Sequence, residues 1–193
     1  MKKVVLKCQV PDLARLERKL ADVGMEFSAA VWQHERIYWP GDFRPQMNYP
    51  RLIMRTEVAR PDLPAQYSMY LKRHIEDSGV DYVYMTGVND YTAATGIVHQ
   101  LGFRKSAEMS RRRQELRLDA HTVLYLDKVE GLEDYFLKLE VELIDEDTPI
   151  EAVRRTLYQT LDLLKIKTFI TQTYGELLAG HTMQPYYLPE SSN

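Results

Sequence analysis

The 193-residue chain carries 25 Lys and Arg against 28 Asp and Glu, for a net charge of −3, with 45% hydrophobic and 27% charged residues. This mixture suits one globular domain with a sizeable core, and its acidic balance excludes a broad nucleic-acid-binding surface, which needs a basic excess. No apolar run reaches bilayer length, and the start Met1–Lys7 is too short and too charged for a secretory signal, so a cytoplasmic protein is expected. The single cysteine, Cys8, cannot build a disulfide framework and reads as a half-buried strand residue.

Taken in chain order, Lys3 to Val10 alternates as a strand. Pro11 opens a helix with Leu13, Leu16, Leu20 and Val23 on one side, and Gly24 stops it. Phe27 to Trp39 looks extended, and Pro40-Gly41-Asp42 makes a turn. Arg51 to Val58, Gln66 to His74 and the Tyr/Val-rich Val80 to Thr86 read as strands. Asp90 caps a helix that runs to Leu101, and Gly102 ends it. Arg104 to Leu118 and Thr122 to Val129 form two long strands joined at Asp119-Ala120-His121; a turn at Glu130-Gly131-Leu132 leads into Tyr135 to Ile144. Pro149 opens a helix with Val153, Leu157, Leu161 and Leu164 on one side, followed by a short helix with Tyr174, Leu177 and Leu178. Residues 1–180 are expected to form one domain and 181–193 a mobile tail. About eight strands in so small a unit predict closure of an antiparallel sheet, which removes exposed edges.

Alternation places Lys3, Val5 and Lys7 on one side of the first strand. It likewise groups Arg51, Ile53 and Arg55; Tyr70, Lys72 and His74; Arg111, Arg113 and Glu115; and Lys138, Glu140 and Glu142. Arg112 points away from its neighbours. If these sides face inward, the sheet encloses a basic cavity suited to polyphosphate. Alternation alone favours the other reading, solvated outer faces around an apolar centre. The five histidines show no metal-ligand spacing.

One run after another resembles the CYTH superfamily of triphosphate-binding tunnel proteins. Leu124 to Val141 is similar to its late hairpin, an Asp, a Val-x-Gly-Leu-Gly turn and Phe-Leu-Glu-Ile-Glu. Leu101-Gly102-Phe103 with Arg111-x-Arg113, Leu52 to Arg55, Tyr70-Leu71-Lys72 and Tyr174 to Leu178 resemble further family segments in the same order. The resemblance implies an α+β fold, an antiparallel β-barrel of about eight strands with flanking helices, that binds a nucleoside triphosphate, thiamine triphosphate, tripolyphosphate or another polyanion. Phosphate would meet Lys7, Arg55, Lys72, Arg111 and Arg113. Mg²⁺ or Mn²⁺, if the chain is catalytic, would meet Glu140, with Asp127 and Glu142 nearby.

The departures are acidic. The family's Glu-x-Glu-x-Lys falls on Lys3, Val5 and Lys7; its next acidic pair falls on Val83 and Met85; and one glutamate of Phe-Leu-Glu-Ile-Glu is Lys138. A metal beside substrate phosphates needs one or two carboxylates, so the expected function is polyanion binding with catalysis weakened or lost. The alternatives are an active metal-dependent triphosphatase or class IV-type adenylate cyclase, and an interaction protein with a vestigial tunnel that uses tail aromatics such as Tyr186 and Tyr187.

Overall fold

The computed structural model describes residues 1–41, 50–75, 80–145, 147–180 and 185–186. Its elements are β1 (Lys2–Val10), α1 (Leu13–Ala21), β2 (Val31–Pro40), β3 (Arg51–Val58), β4 (Gln66–Ile75), β5 (Val80–Gly87) and α2 (Tyr91–Gln100). They continue as β6 (Phe103–Arg117), β7 (Thr122–Val129), β8 (Tyr135–Leu143), α3 (Ile150–Leu163), β9 (Phe169–Ile170), α4 (Tyr174–Leu178) and β10 (Pro185–Tyr186). The first eight strands pair in the order β1-β5-β4-β3-β2-β6-β7-β8, and β8 returns to β1, so the sheet is a closed ring with every pairing antiparallel. The seam between β1 and β8 runs the full strand, from Lys2↔Leu143 to Val10↔Tyr135. The seam between β1 and β5 is short, Lys2 to Val4 only, and β9 takes up the same edge of β1 further along at Cys8↔Phe169.

Apolar packing lies outside the ring. Val4, Cys8 and Val10 of β1, Leu124 and Leu126 of β7 and Leu137 and Leu139 of β8 pack against Leu16 and Leu20 of α1 and Leu157 and Leu161 of α3. Each such buried leucine contributes about 1.5–3 kcal/mol. A second outer cluster joins Tyr38, Leu52 and Met54 to Val98 of α2. The third lies at one end of the interior, where α4 sets Tyr174 and Leu177 against Val129 and Phe136, with Met109 beside them. Leu178 lies so close to the turn before β8 that a Cβ at Gly131 would sit 3.0 Å from it, and Gly131 also has φ +87°, so this turn requires glycine. Outer leucines and an inner charged face are the two halves of one alternation, which resolves the choice left open by the sequence in favour of a polar interior.

Several local readings need correction. Pro11 precedes the first helix, whose N-cap is Asp12 accepting from the Arg15 amide. That helix ends at Ala21, so Val23 lies beyond its apolar stripe and is 66% exposed. Strand β2 begins at Val31; before it, Ser28 is held by a hydrogen bond from its amide to the Glu115 carbonyl. Asp42, His181, Tyr187 and the tail residues other than Pro185 and Tyr186 lie outside the described residues.

Cys8 is fully buried rather than half-buried, and burial pushes its thiol pKa up to about 12. A thiol so placed does not react in the folded state. A disulfide reagent is expected to leave native protein unmodified and to label Cys8 only under denaturing conditions; rapid native labelling would show that the outer core opens at β1. No helix among the described residues is long and apolar enough to cross a membrane.

Candidate functional site: a charged interior

Each strand presents its charges to the interior because side chains alternate across the sheet. Pairing registers place Arg55 opposite Glu35, Arg113 opposite Asp127, Lys7 opposite Lys138 and Lys3 opposite Asp81, so these residues share one face of the ring. Lys72 on β4 is separated along the sheet from β8 by β5 and β1. It nevertheless acts electrostatically on Lys138 and Glu140 of β8, an interaction across the interior.

Two clusters of ion pairs fill this space. In the first, Glu35 Oε1 accepts from Arg55 Nε at 2.8 Å, from Arg55 Nη2 at 2.5 Å and from Arg111 Nη2 at 2.6 Å. Gln33 orients Arg111 by accepting from its Nε at 2.9 Å, and Tyr70 accepts from Arg55 Nη1 at 2.7 Å. Arg113 forms a two-pronged pair with Asp127, at 2.6 Å to each carboxylate oxygen, and Tyr174 donates to Asp127 Oδ2 at 2.8 Å. Such fork-to-carboxylate geometry fixes both groups as well as joining them. Arg113 also lies 4.3 Å from the Tyr125 ring centroid.

The second cluster is built on lysines. Glu140 accepts from Lys3 at 2.8 Å and also from Lys138. Asp81 meets Lys72 at 2.5 Å and His74 Nδ1 at 2.8 Å. Lys7 donates to the Gln172 carbonyl and lies 4.7 Å from the Tyr174 ring centroid, beside α4.

Burial and mutual repulsion set the protonation of these groups. Burial, with Lys138 and Lys72 close by, pushes the Lys7 amine down to about 7. Burial also takes Lys138 down to about 8, although Glu140 works to keep it charged. Burial would raise the Glu35 carboxyl, but Arg111 and Arg55 outweigh it and hold it well below the usual range. At Asp127 burial is likewise outweighed, by Arg113 and Arg111, leaving a pKa of about 2. Burial at Asp81 is outweighed by Lys72 and His74, and at Glu140 by Lys138 and Lys3, which hold both carboxyls below the usual range, so Glu35, Asp81, Asp127 and Glu140 are all ionised at neutral pH.

With buried and half-buried side chains counted alike, this face carries eight basic groups, Lys3, Lys7, Arg51, Arg55, Lys72, Arg111, Arg113 and Lys138, and seven carboxylates, Glu35, Glu57, Asp81, Glu115, Asp127, Glu140 and Glu142. The interior is thus densely charged and close to balance, with its basic groups on every strand that carries an expected phosphate contact. A cavity of about 470 Å³ opens against this wall, lined by Gln33, Arg55, Glu57, Arg113, Glu115 and Tyr125 among others.

The structure brings all five expected phosphate contacts, Lys7, Arg55, Lys72, Arg111 and Arg113, onto the interior face. Asp127 and Glu140 are there too, each already neutralised by two cations. Glu142 stands on the same side of β8 as Glu140, opposite Lys3. Among the described residues no three His, Cys, Asp or Glu gather as a metal site. A divalent ion placed at Asp127 or Glu140 would meet guanidinium or ammonium groups first, so these donor sets do not suit a resident metal. Arg112 points outward and is exposed, as alternation required.

Interior residues that the sequence reading did not nominate include Gln33, Glu35, Glu57, Asp81, Tyr125 and Tyr174. The Gln33-x-Glu35 pair carried a partial signal, two polar residues at strand spacing, but His34 and Arg36 beside them are polar too. Asp81 lies on the same side of β5 as Val83 and Met85, so the interior acid of that strand stands at the start of this side.

No family model matches the sequence, and no curated protein matches it. Solved structures match over nearly the whole chain. A candidate adenylate cyclase from Vibrio parahaemolyticus is 15% identical with a TM-score of 0.77, over 92% of this chain and 97% of that one. The PH1819 protein of Pyrococcus horikoshii OT3 is 21% identical with a TM-score of 0.76, over 92% and 98%. HpAC1 of Hippeastrum, a candidate adenylyl cyclase with a dominant triphosphatase activity, is 15% identical with a TM-score of 0.62, over 93% and 96%. With its closed eight-strand ring and polar interior, the chain has the fold of these solved proteins, a closed antiparallel ring with flanking helices.

Proposed function

We propose that the tunnel binds a triphosphate or another polyanion through Lys7, Arg55, Lys72, Arg111 and Arg113, and that its catalytic power is weakened or lost. One observation carries this reading: the five expected phosphate contacts share the interior face, and Asp127 and Glu140, which would hold a metal, are each paired with two cations. Lys3 and Lys138 stand where the resemblance places metal-binding acids, and they supply as fixed positive charge part of what a metal would bring to a bound phosphate. A fixed ammonium binds an anion but does not generate hydroxide from water, so binding survives where turnover does not.

A test is equilibrium binding of tripolyphosphate in the presence of a chelator at low and high salt. Saturable binding without metal, weakening steeply as salt rises, is the expected result, since attraction of a polyanion to the interior cations is screened within about 8–10 Å where solvent enters. Absence of binding in chelator, with binding restored by Mn²⁺, would sink the metal-free version. The second reading, a metal-dependent triphosphatase or adenylate cyclase, is favoured by the two acids left on β8, Glu140 and Glu142. It requires Glu140→Gln to abolish turnover.

A further inference from the structure

Glu35 differs from the other interior acids in what it occupies. One of its oxygens takes three N–H groups from two arginines, Arg55 and Arg111, which stand on the strands flanking β2 in the ring. This is the coordination a phosphate oxygen would receive between two guanidinium forks. Both arginines have a second tether: Arg55 Nη1 to the Tyr70 hydroxyl and Arg111 Nε to the Gln33 carbonyl oxygen. Their positions therefore do not depend on Glu35 alone. Arg55 and Gln33 also line the 470 Å³ cavity, so an incoming anion meets this group at Arg55, with Glu35 and Arg111 buried behind it.

We propose that Glu35 is an internal counter-anion that holds Arg55 and Arg111 until a more highly charged ligand displaces it, which makes it the residue that excludes small anions from the tunnel. The inference rests on the polyanion-binding reading. A carboxylate tethered beside its partners competes as an intramolecular ligand at high effective concentration. Orthophosphate meets that competition with few other contacts. A longer chain of phosphates also reaches Arg113 and the lysines, and so gains enough to displace Glu35.

The experiment compares inorganic phosphate and tripolyphosphate binding to the wild-type protein and to Glu35→Gln, in chelator at one salt concentration. Glutamine keeps an acceptor oxygen for the arginines and removes the charge. The expected result is phosphate binding about tenfold tighter in the variant, the worth of one charge-assisted hydrogen bond, with a smaller gain for tripolyphosphate, so that discrimination by chain length narrows. A variant that melts cooperatively yet binds phosphate no better than wild type overturns the counter-anion, whatever tripolyphosphate does. Should Glu35→Gln fail to fold, Glu35→Asp retains the charge on a side chain too short to bridge both arginines; a partial gain in phosphate affinity supports the assignment and no gain overturns it. If neither protein binds either anion, the polyanion reading falls and the counter-anion with it. If wild type binds tripolyphosphate but Glu35→Gln gains nothing, only the counter-anion falls.

Discussion

Asp127→Asn is expected to cost roughly 3–5 kcal/mol of stability, the usual consequence of leaving a buried charge without its partner. Asp127 is fully buried, and its two oxygens hold Arg113, approach Arg111 and accept from Tyr174. The asparagine amide would turn a donor toward a guanidinium and leave one prong of Arg113 without an acceptor. It would also release Tyr174, and with it the anchor of α4 against the ring interior. Denaturant unfolding followed by far-UV circular dichroism measures the loss. A cost under about 1 kcal/mol, typical of exposed pairs, would mean the interior is wetter than its burial indicates. The same carboxylate gives stability a pH dependence of known sign. Its folded pKa is about 2 against an ordinary 3.8, so its contribution is complete above about pH 4 and is lost as pH falls toward 2. Asp127→Asn should flatten that part of the acid-unfolding profile.

Polyanion binding is expected to weaken by about tenfold as pH rises from 6.5 to 8.5, one charge-assisted hydrogen bond's worth. The cause is loss of charge at Lys7, with a pKa of about 7, and Lys138, with a pKa of about 8, in the free protein. A bound polyanion favours the charged amines, so binding above neutrality takes up protons. Triphosphate itself gains negative charge over this range, which opposes the trend. Lys7→Met separates the two contributions: proton uptake, read from binding heats in buffers of different ionisation enthalpy, should fall in the variant. Equal uptake in both proteins would show that Lys7 does not face the ligand.

The closed ring was legible because β-strands announce themselves by alternation and because edges in a small all-antiparallel sheet must be removed. Which side of the alternation faced inward was not legible. Charges at Arg111 and Arg113 and leucines at 124, 126, 137 and 139 favour a sandwich with an apolar centre until α1 and α3 are known to cover the leucines from outside. Lys7, Arg55, Lys72, Arg111 and Arg113 were found through resemblance in spacing, and the fold brings them onto one face. Glu35 was missed because Phe27 to Trp39 was read only as extended, and the unbroken polar run Gln33-His34-Glu35-Arg36 gives no alternation to say which of its members face inward. What makes Glu35 informative is a contact across to β3 and β6, a relation between strands far apart in sequence that no local pattern records. Cys8 was underestimated for a similar reason: its burial depends on Phe169 of β9, a two-residue strand too short to leave a periodic signal.

Calorimetric titration of tripolyphosphate into the protein with Mn²⁺ present tests most directly whether the tunnel binds without turning over. The expected result is a saturating isotherm whose heat returns to baseline after each injection, and a similar isotherm when chelator replaces the metal. Sustained heat flow that requires Mn²⁺ and disappears in Glu140→Gln would contradict it and establish a metal-dependent phosphohydrolase.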